Sequence, residues 1–262
     1  MSTAPLSPVR AVLQAGLLAP SAENKHYLTF RIVDGETIEM FSTDTSTWDA
    51  QRHRRLLATV AYCAVVENMS LKAGQLGREL EVDWLPTPAS PDLMAILRLR
   101  STLAEGDPLA PWMAKRHTNR RFFERKPAGT ASLRRLSIAA EGVEGARLVW
   151  MDSPVLRSTA LKAIRLAETE RFKRRHLHAE MFTSIRFESG WKATLDEWLP
   201  PSTLEVEAPM RGSFASLRHW PLMRLASLTG AHHGLGFRSG YLPAALAPHI
   251  GVVAVTASGD GK

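Results

Sequence analysis

Arg116, Thr118 and Arg120 stand at alternate positions in the segment Lys115–Pro127, KRHTNRRFFERKP. In extended backbone, alternate side chains point to the same side. Two guanidiniums with a hydroxyl between them suit a phosphate, because arginine offers a bidentate fork and threonine one more donor. A helix starting just beyond would add its first amides to such a site. Other polar clusters promise less. His178-Ala-Glu180 copies the His-x-Glu of zinc deaminases, but that chemistry needs a later Cys-x-x-Cys, and Cys63 is the sole cysteine. His232 and His233 with His249 lack an accompanying carboxylate, and adjacent histidines are expected to diverge on a helix or a strand, so no metal site is expected. Gly234, Gly236 and Gly240 have the wrong last spacing for a dinucleotide loop and read as a turn.

The arginine segment is similar to the opening motif of the nitroreductase family, Arg-His-Ser-x-Arg-Arg-x-Phe followed by a proline and a helix. In that family it grips the phosphate of FMN. The resemblance implies that Arg116 and Arg120 are the phosphate cations, that Thr118 stands where serine is usual, and that His117 flanks the flavin. A second stretch, LAPSAENKHYLTFRIV, resembles the family's Ala-Pro-Ser-x-x-Asn-x-Gln-Pro-Trp-x-Phe. Ala19, Pro20, Ser21, Asn24 and Phe30 match; His26 replaces the glutamine, Tyr27 the proline and Leu28 the tryptophan. The likeness places Ser21, Asn24 and His26 toward the isoalloxazine; on its own chemistry Asn24 reads equally as a turn cap. A third stretch, ENMSLKAGQLG, resembles the end of the family's central dimer helix, and by spacing alone is a core helix.

The elements that must carry these residues read as follows. Arg10–Leu18 is an amphipathic helix ended by Pro20 and Ser21. Leu28–Val33 and Thr37–Phe41 are strands joined by an Asp34-Gly35 turn. Arg54–Leu76 is a long helix, apolar almost all round, which places it in a core or an interface; Gly77 closes it. Leu80–Leu85 is a strand. Beyond Pro111 a helix at Ser132–Ala140 and a strand at Ala146–Met151 repeat the helix-to-strand order of the first stretch. Pro154–Arg174 is a basic helix, residues 189–209 form an irregular excursion that reads either as a lid or as a surface loop, Trp220–Leu228 is a helix, and Ile250–Val255 is a strand.

In ordinary nitroreductases the arginine motif precedes Ala-Pro-Ser; here it follows. That order is similar to a divergent single-chain branch in which two degenerate units form an intramolecular pseudo-dimer with a lid over the flavin. The expected fold class is α+β, a nitroreductase-like mixed sheet wrapped by helices. The expected halves are 1–111 and 112–262, with a lid at 189–209 and a second unit that stops before its long helix. A homodimer through the Arg54–Leu76 helix is then expected to cover the unmatched face. The resemblance implies FMN as cofactor, NAD(P)H as electron donor and a nitroaromatic or quinone-like small molecule as acceptor. Its alternative is a non-catalytic protein that sequesters FMN beneath the lid. Flavin chemistry requires no protein acid or base, so no catalytic residue is assigned.

Composition is compatible with that reading. The chain has 262 residues, 45% hydrophobic and 23% charged, enough for a sizeable core. The single cysteine excludes an internal disulfide and favours a reducing, cytoplasmic setting. No secretory signal pattern opens the chain, and the apolar run Leu56–Val66 is too short to span a bilayer, so no membrane partner is expected. The net charge of +7 admits a solvated surface, an anionic cofactor or nucleic acid. No RNP, zinc-finger or helix-turn-helix pattern supports nucleic acid.

Overall fold

The computed structural model describes residues 7–48, 51–103, 105–192 and 198–256. By contacts these fall into two units. The first comprises the described residues up to Thr118 together with Trp198; the second comprises the rest from Asn119 onward. The fold is α+β.

In the first unit, helix α1 (Pro8–Gly16) opens with proline at its first position and the Ser7 hydroxyl toward the Arg10 amide. Its buried stripe, Val9, Val12, Ala15 and Gly16, has helical spacing. Strands β1 (Leu28–Ile32) and β2 (Thr37–Ser42) form an antiparallel hairpin. The Asp34 carboxylate accepts from the Glu36 and Thr37 amides at 2.8 and 2.7 Å, which fixes the turn and holds its pKa below the usual range. Helix α2 (Arg52–Gln75) is followed by Gly77 at φ +65°, the left-handed position glycine favours, and then by β3 (Arg78–Trp84). Strand β4 (Leu93–Ser101), which the sequence reading left unassigned, lies between β2 and β3. The order β1-β2-β4-β3 gives β4 a partner on both edges, and Leu93, Met94, Ala95, Leu97 and Leu99 are buried.

The core of this unit joins Ile38 and Met40 of β2, Leu97 and Leu99 of β4, Val9 and Val12 of α1, and Tyr62, Val65 and Met69 of α2. A Cβ on Gly16 would sit 3.0 Å from Met69 Cγ, so the glycine sets how closely α1 meets α2. Only one face of α2 is buried; Leu56, Leu57 and Val60 are 65, 49 and 61% exposed, because α1 and the sheet cover a single side. By length and composition α2 could also cross a bilayer, yet seven of its residues are buried in this core.

In the second unit, α3 (Thr130–Glu141) leads to β5 (Ala146–Trp150), which pairs antiparallel with β6 (Gly251–Val255). Between the two strands run α4 (Pro154–Lys173), α5 (Arg175–Thr183), α6 (Arg211–Ser216), α7 (Trp220–Ser227), α8 (Ala231–Gly236) and α9 (Leu242–Leu246). Each named strand pair in both sheets is antiparallel, where a single mixed sheet was expected. The glycines read as a turn are instead helical: α8 passes through a π-turn at Phe237–Tyr241 into α9. They are there for contact. A Cβ on Gly236 would lie 2.7 Å from the Thr169 backbone nitrogen, and one on Gly240 2.5 Å from Glu168 Cγ, so only glycine lets this segment lie on α4.

Candidate functional site

Several contacts position the turn after α1. Asn68 of α2 donates from Nδ2 to the Ala15 carbonyl at 3.1 Å, satisfying one of the free carbonyls at the helix end. Ala19 is buried, and Ala22–Asn24 form a 3-10 turn in which Glu23 and Asn24 have φ of 58° and 55°. Asparagine tolerates that region; for glutamate it is strained, a feature that often marks ligand loops. The Ser21 hydroxyl oxygen is buried without a hydrogen-bond partner, which costs about 1–3 kcal/mol if nothing else supplies one.

The arginine segment reaches this turn along α2. Gly106 passes so near Gly74 that a Cβ on Gly106 would meet the Gly74 carbonyl oxygen at 3.1 Å. The 3-10 helix Ala110–Lys115 follows, and Arg116 then donates from Nη2 to the Leu18 carbonyl at 3.4 Å. Two stretches almost a hundred residues apart, Leu18–Ser21 and Lys115–Thr118, are thus neighbours in one unit. His117 donates from Nδ1 to the Lys115 carbonyl at 3.2 Å, while Thr118 is exposed.

Asn24 has an unexpected partner. Its Nδ2 donates to the Trp198 carbonyl at 3.2 Å, and the Trp198 amide donates to the Asn24 carbonyl at 3.1 Å. Lys25 Nζ lies 3.8 Å from the centre of a Trp198 ring. The Nδ2 bond runs to a carbonyl 174 residues away and is not a turn cap. His26 is half-buried in the same loop.

Arg120 is counted with the second unit, two residues beyond Thr118. Its Nη1 donates to the Thr203 carbonyl at 3.4 Å. Burial pushes its guanidinium pKa down from the usual value, and no carboxylate among the described residues pairs with it. Its neighbours differ: Arg121 meets Glu205 at 3.2 Å, and Arg238 meets Glu207 at 2.6 Å while stacking 4.4 Å from the Phe122 ring centre. The helix expected to follow the motif begins only at Thr130, after Pro127 and Gly129, so its amides do not extend the arginine pair. Of the excursion 189–209, residues 193–197 lie outside the described residues. Residues 201–204 and 208–210 are 3-10 turns fastened through Arg120, Arg121 and Arg238. No spacing rule in the sequence links Trp198, Thr203 or Glu205 to segments about 80 and 174 residues earlier.

The histidines fall into the scaffold. His178 is buried, donates from Nε2 to the Leu217 carbonyl at 2.8 Å, and packs on Phe182 and Trp220. His232 and His233 do not diverge as expected: their rings lie 4.1 Å apart on α8. His249 Nε2 accepts from the Ala128 amide at 3.1 Å. Among the described residues no three His, Cys, Asp or Glu side chains converge as metal ligands do.

No protein-family model matches this chain, and no curated protein matches it.

Proposed function

We propose that the chain is an FMN-binding oxidoreductase of the nitroreductase type, taking electrons from NAD(P)H and passing them to a nitroaromatic or quinone-like acceptor. The observation that carries the proposal is Arg120, a half-buried guanidinium with a carbonyl but no carboxylate beside it. A desolvated cation is costly unless an anion joins it, and a flavin phosphate is such an anion. Ser21, with its buried and unmatched hydroxyl oxygen, is the second group that fits. In this reading Arg116, Thr118 and Arg120 hold the phosphate, His117 flanks the flavin, and Ser21, Asn24 and His26 lie toward the ring. The bound flavin supplies the redox chemistry; the chain anchors, orients and limits access. The two-repeat reading draws support from α1-β1 and α3-β5, each a helix leading into a strand of an antiparallel pair, though β2 follows β1 directly and β6 follows β5 only after α4–α9. Leu56, Leu57 and Val60 of α2 offer an apolar face for a second copy.

Melting with FMN against riboflavin tests this. Ligand at about 100 times its dissociation constant stabilises by roughly 2.7 kcal/mol, so FMN raises the melting temperature clearly and riboflavin, without phosphate, much less. Equal shifts would remove the role given to the arginines. A second reading, a protein that holds FMN without turnover, is favoured by the way Trp198 clasps Asn24 and residues 203–207 are fastened by Arg120, Arg121 and Arg238. Steady-state NAD(P)H oxidation with an added acceptor separates the two readings.

A further inference from the structure

The second unit contains a cleft of about 260 Å³ that the flavin reading does not use. Phe187 and Trp191 are among its lining residues, as are His219, which caps α7, and Leu222 in the first turn of that helix. Among the described residues that line it, Arg218 carries the charge and none is a carboxylate. Arg218 sits with its guanidinium carbon 5.3 Å from the Phe187 ring centre, and Arg211 lies 5.0 Å from that of Trp191. Among the described residues neither arginine meets an acid: Arg218 donates to His219 Nε2 at 3.3 Å and Arg211 to the Val206 carbonyl at 3.3 Å. The nearest carboxylate along the chain, Glu188, is engaged by Arg186 at 3.3 Å.

We propose that this cleft is a binding site for a small aromatic carboxylate. A flat ring fits against Phe187 and Trp191, and its carboxylate can accept from the Arg218 guanidinium, whose stacking on Phe187 already restricts it. Drug-sized ligands occupy pockets of about 300–1,000 Å³, so this volume suits a single substituted ring. The site is independent of the FMN reading, because it uses none of the residues assigned there.

The test is ligand-observed fluorine NMR on the full chain with 4-fluorobenzoate, competed by benzoate and by neutral benzamide. The expected result is a saturable signal that benzoate displaces and benzamide does not. Arg218→Gln, at an exposed position, is expected to weaken the probe about tenfold or more, the low end for a charge-assisted contact. Leu222→Trp, also at an exposed position, is expected to fill the cleft and abolish binding, with circular dichroism confirming the fold of both variants. Arg120→Ala is expected to leave the probe unaffected. Equal competition by benzamide, or full affinity in both cleft variants, overturns the proposal. Displacement of the probe by stoichiometric FMN overturns the independence of the two sites.

Discussion

Gly236→Ala puts the packing of α8 on α4 to a quantitative test. The added Cβ would lie 2.4 Å from Thr169 Oγ1, 2.7 Å from the Thr169 nitrogen and 2.8 Å from its Cα, where ordinary contact starts at 3.4 Å. The hydroxyl can rotate away, but the backbone atoms belong to the C-terminal part of α4 and retreat only if the helices separate. Overpacking of this kind costs about 1–3 kcal/mol, and a backbone clash belongs at the upper end. Alanine recovers about 1 kcal/mol of helix propensity, which leaves a net loss of roughly 2 kcal/mol. Gly234 is an internal control two residues away on the same helix. Its Cβ would meet nothing within 4 Å, so Gly234→Ala is expected to stabilise by up to about 1 kcal/mol. Urea denaturation followed by tryptophan fluorescence measures both. Thr169→Ala combined with Gly236→Ala is expected to restore little, since the backbone contacts remain. Shifts of the same sign for the two glycines, or full rescue by Thr169→Ala, would refute this account of the helix contact.

Other substitutions probe the site and its supports. Arg120→Ala is expected to weaken FMN by about 1.5–3 kcal/mol while leaving the apoprotein folded, with lysine rescuing only part, as read by fluorescence titration of the flavin. Unchanged affinity in both Arg116→Ala and Arg120→Ala places the phosphate elsewhere. Glu23→Gly relieves a left-handed φ of 58° and is expected to stabilise the fold by about 1 kcal/mol; thermal melting that shows a loss would remove the strain argument. The Glu207 carboxyl is held below its ordinary value of 4.5, first by its own backbone amide and then by Arg238. A lowered folded-state pKa stabilises above the unfolded value, and the gain disappears as pH falls through the lowered one. Carbon-detected NMR titration is expected to find Glu207 below 4.5, and nearer to it in Arg238→Ala; an unchanged value would remove the ion pair as a cause.

Much of the first unit was legible because its segments are locally consistent. The periodicity of Arg10–Leu18, the Asp34-Gly35 turn and the apolar run closed by Gly77 each point to one structure. Strand β4 was not legible. LMAIL is a short continuous apolar run, which periodicity cannot assign to strand or helix, and its identity comes from pairing with β2 and β3 on both sides. Gly236 and Gly240 misled in the opposite way. Glycine normally interrupts a helix, but here the backbone at Thr169 and the side chain at Glu168 occupy the space a side chain would need. Which residues of α2 are exposed was not legible for a related reason: composition gives the number of apolar residues in a helix, and only the neighbours decide which are covered.

The arginine segment shows the same limit in electrostatic form. Arg116, Arg120 and Arg121 are alike as residue types, and the spacing of the first two suggests one phosphate grip. The fold separates them by what lies opposite. Arg116 rests on the Leu18 carbonyl and is exposed; Arg121 is neutralised by Glu205; Arg120 is half-buried against the Thr203 carbonyl. The stretch 203–207 supplies two carboxylates, and both go to Arg121 and Arg238. Solvated arginines need no counter-charge, and paired ones already have theirs. The guanidinium left half-buried and, among the described residues, without an acid is the one that gains most from an incoming anion, so Arg120 is the position at which the proposed phosphate contact is most sharply tested.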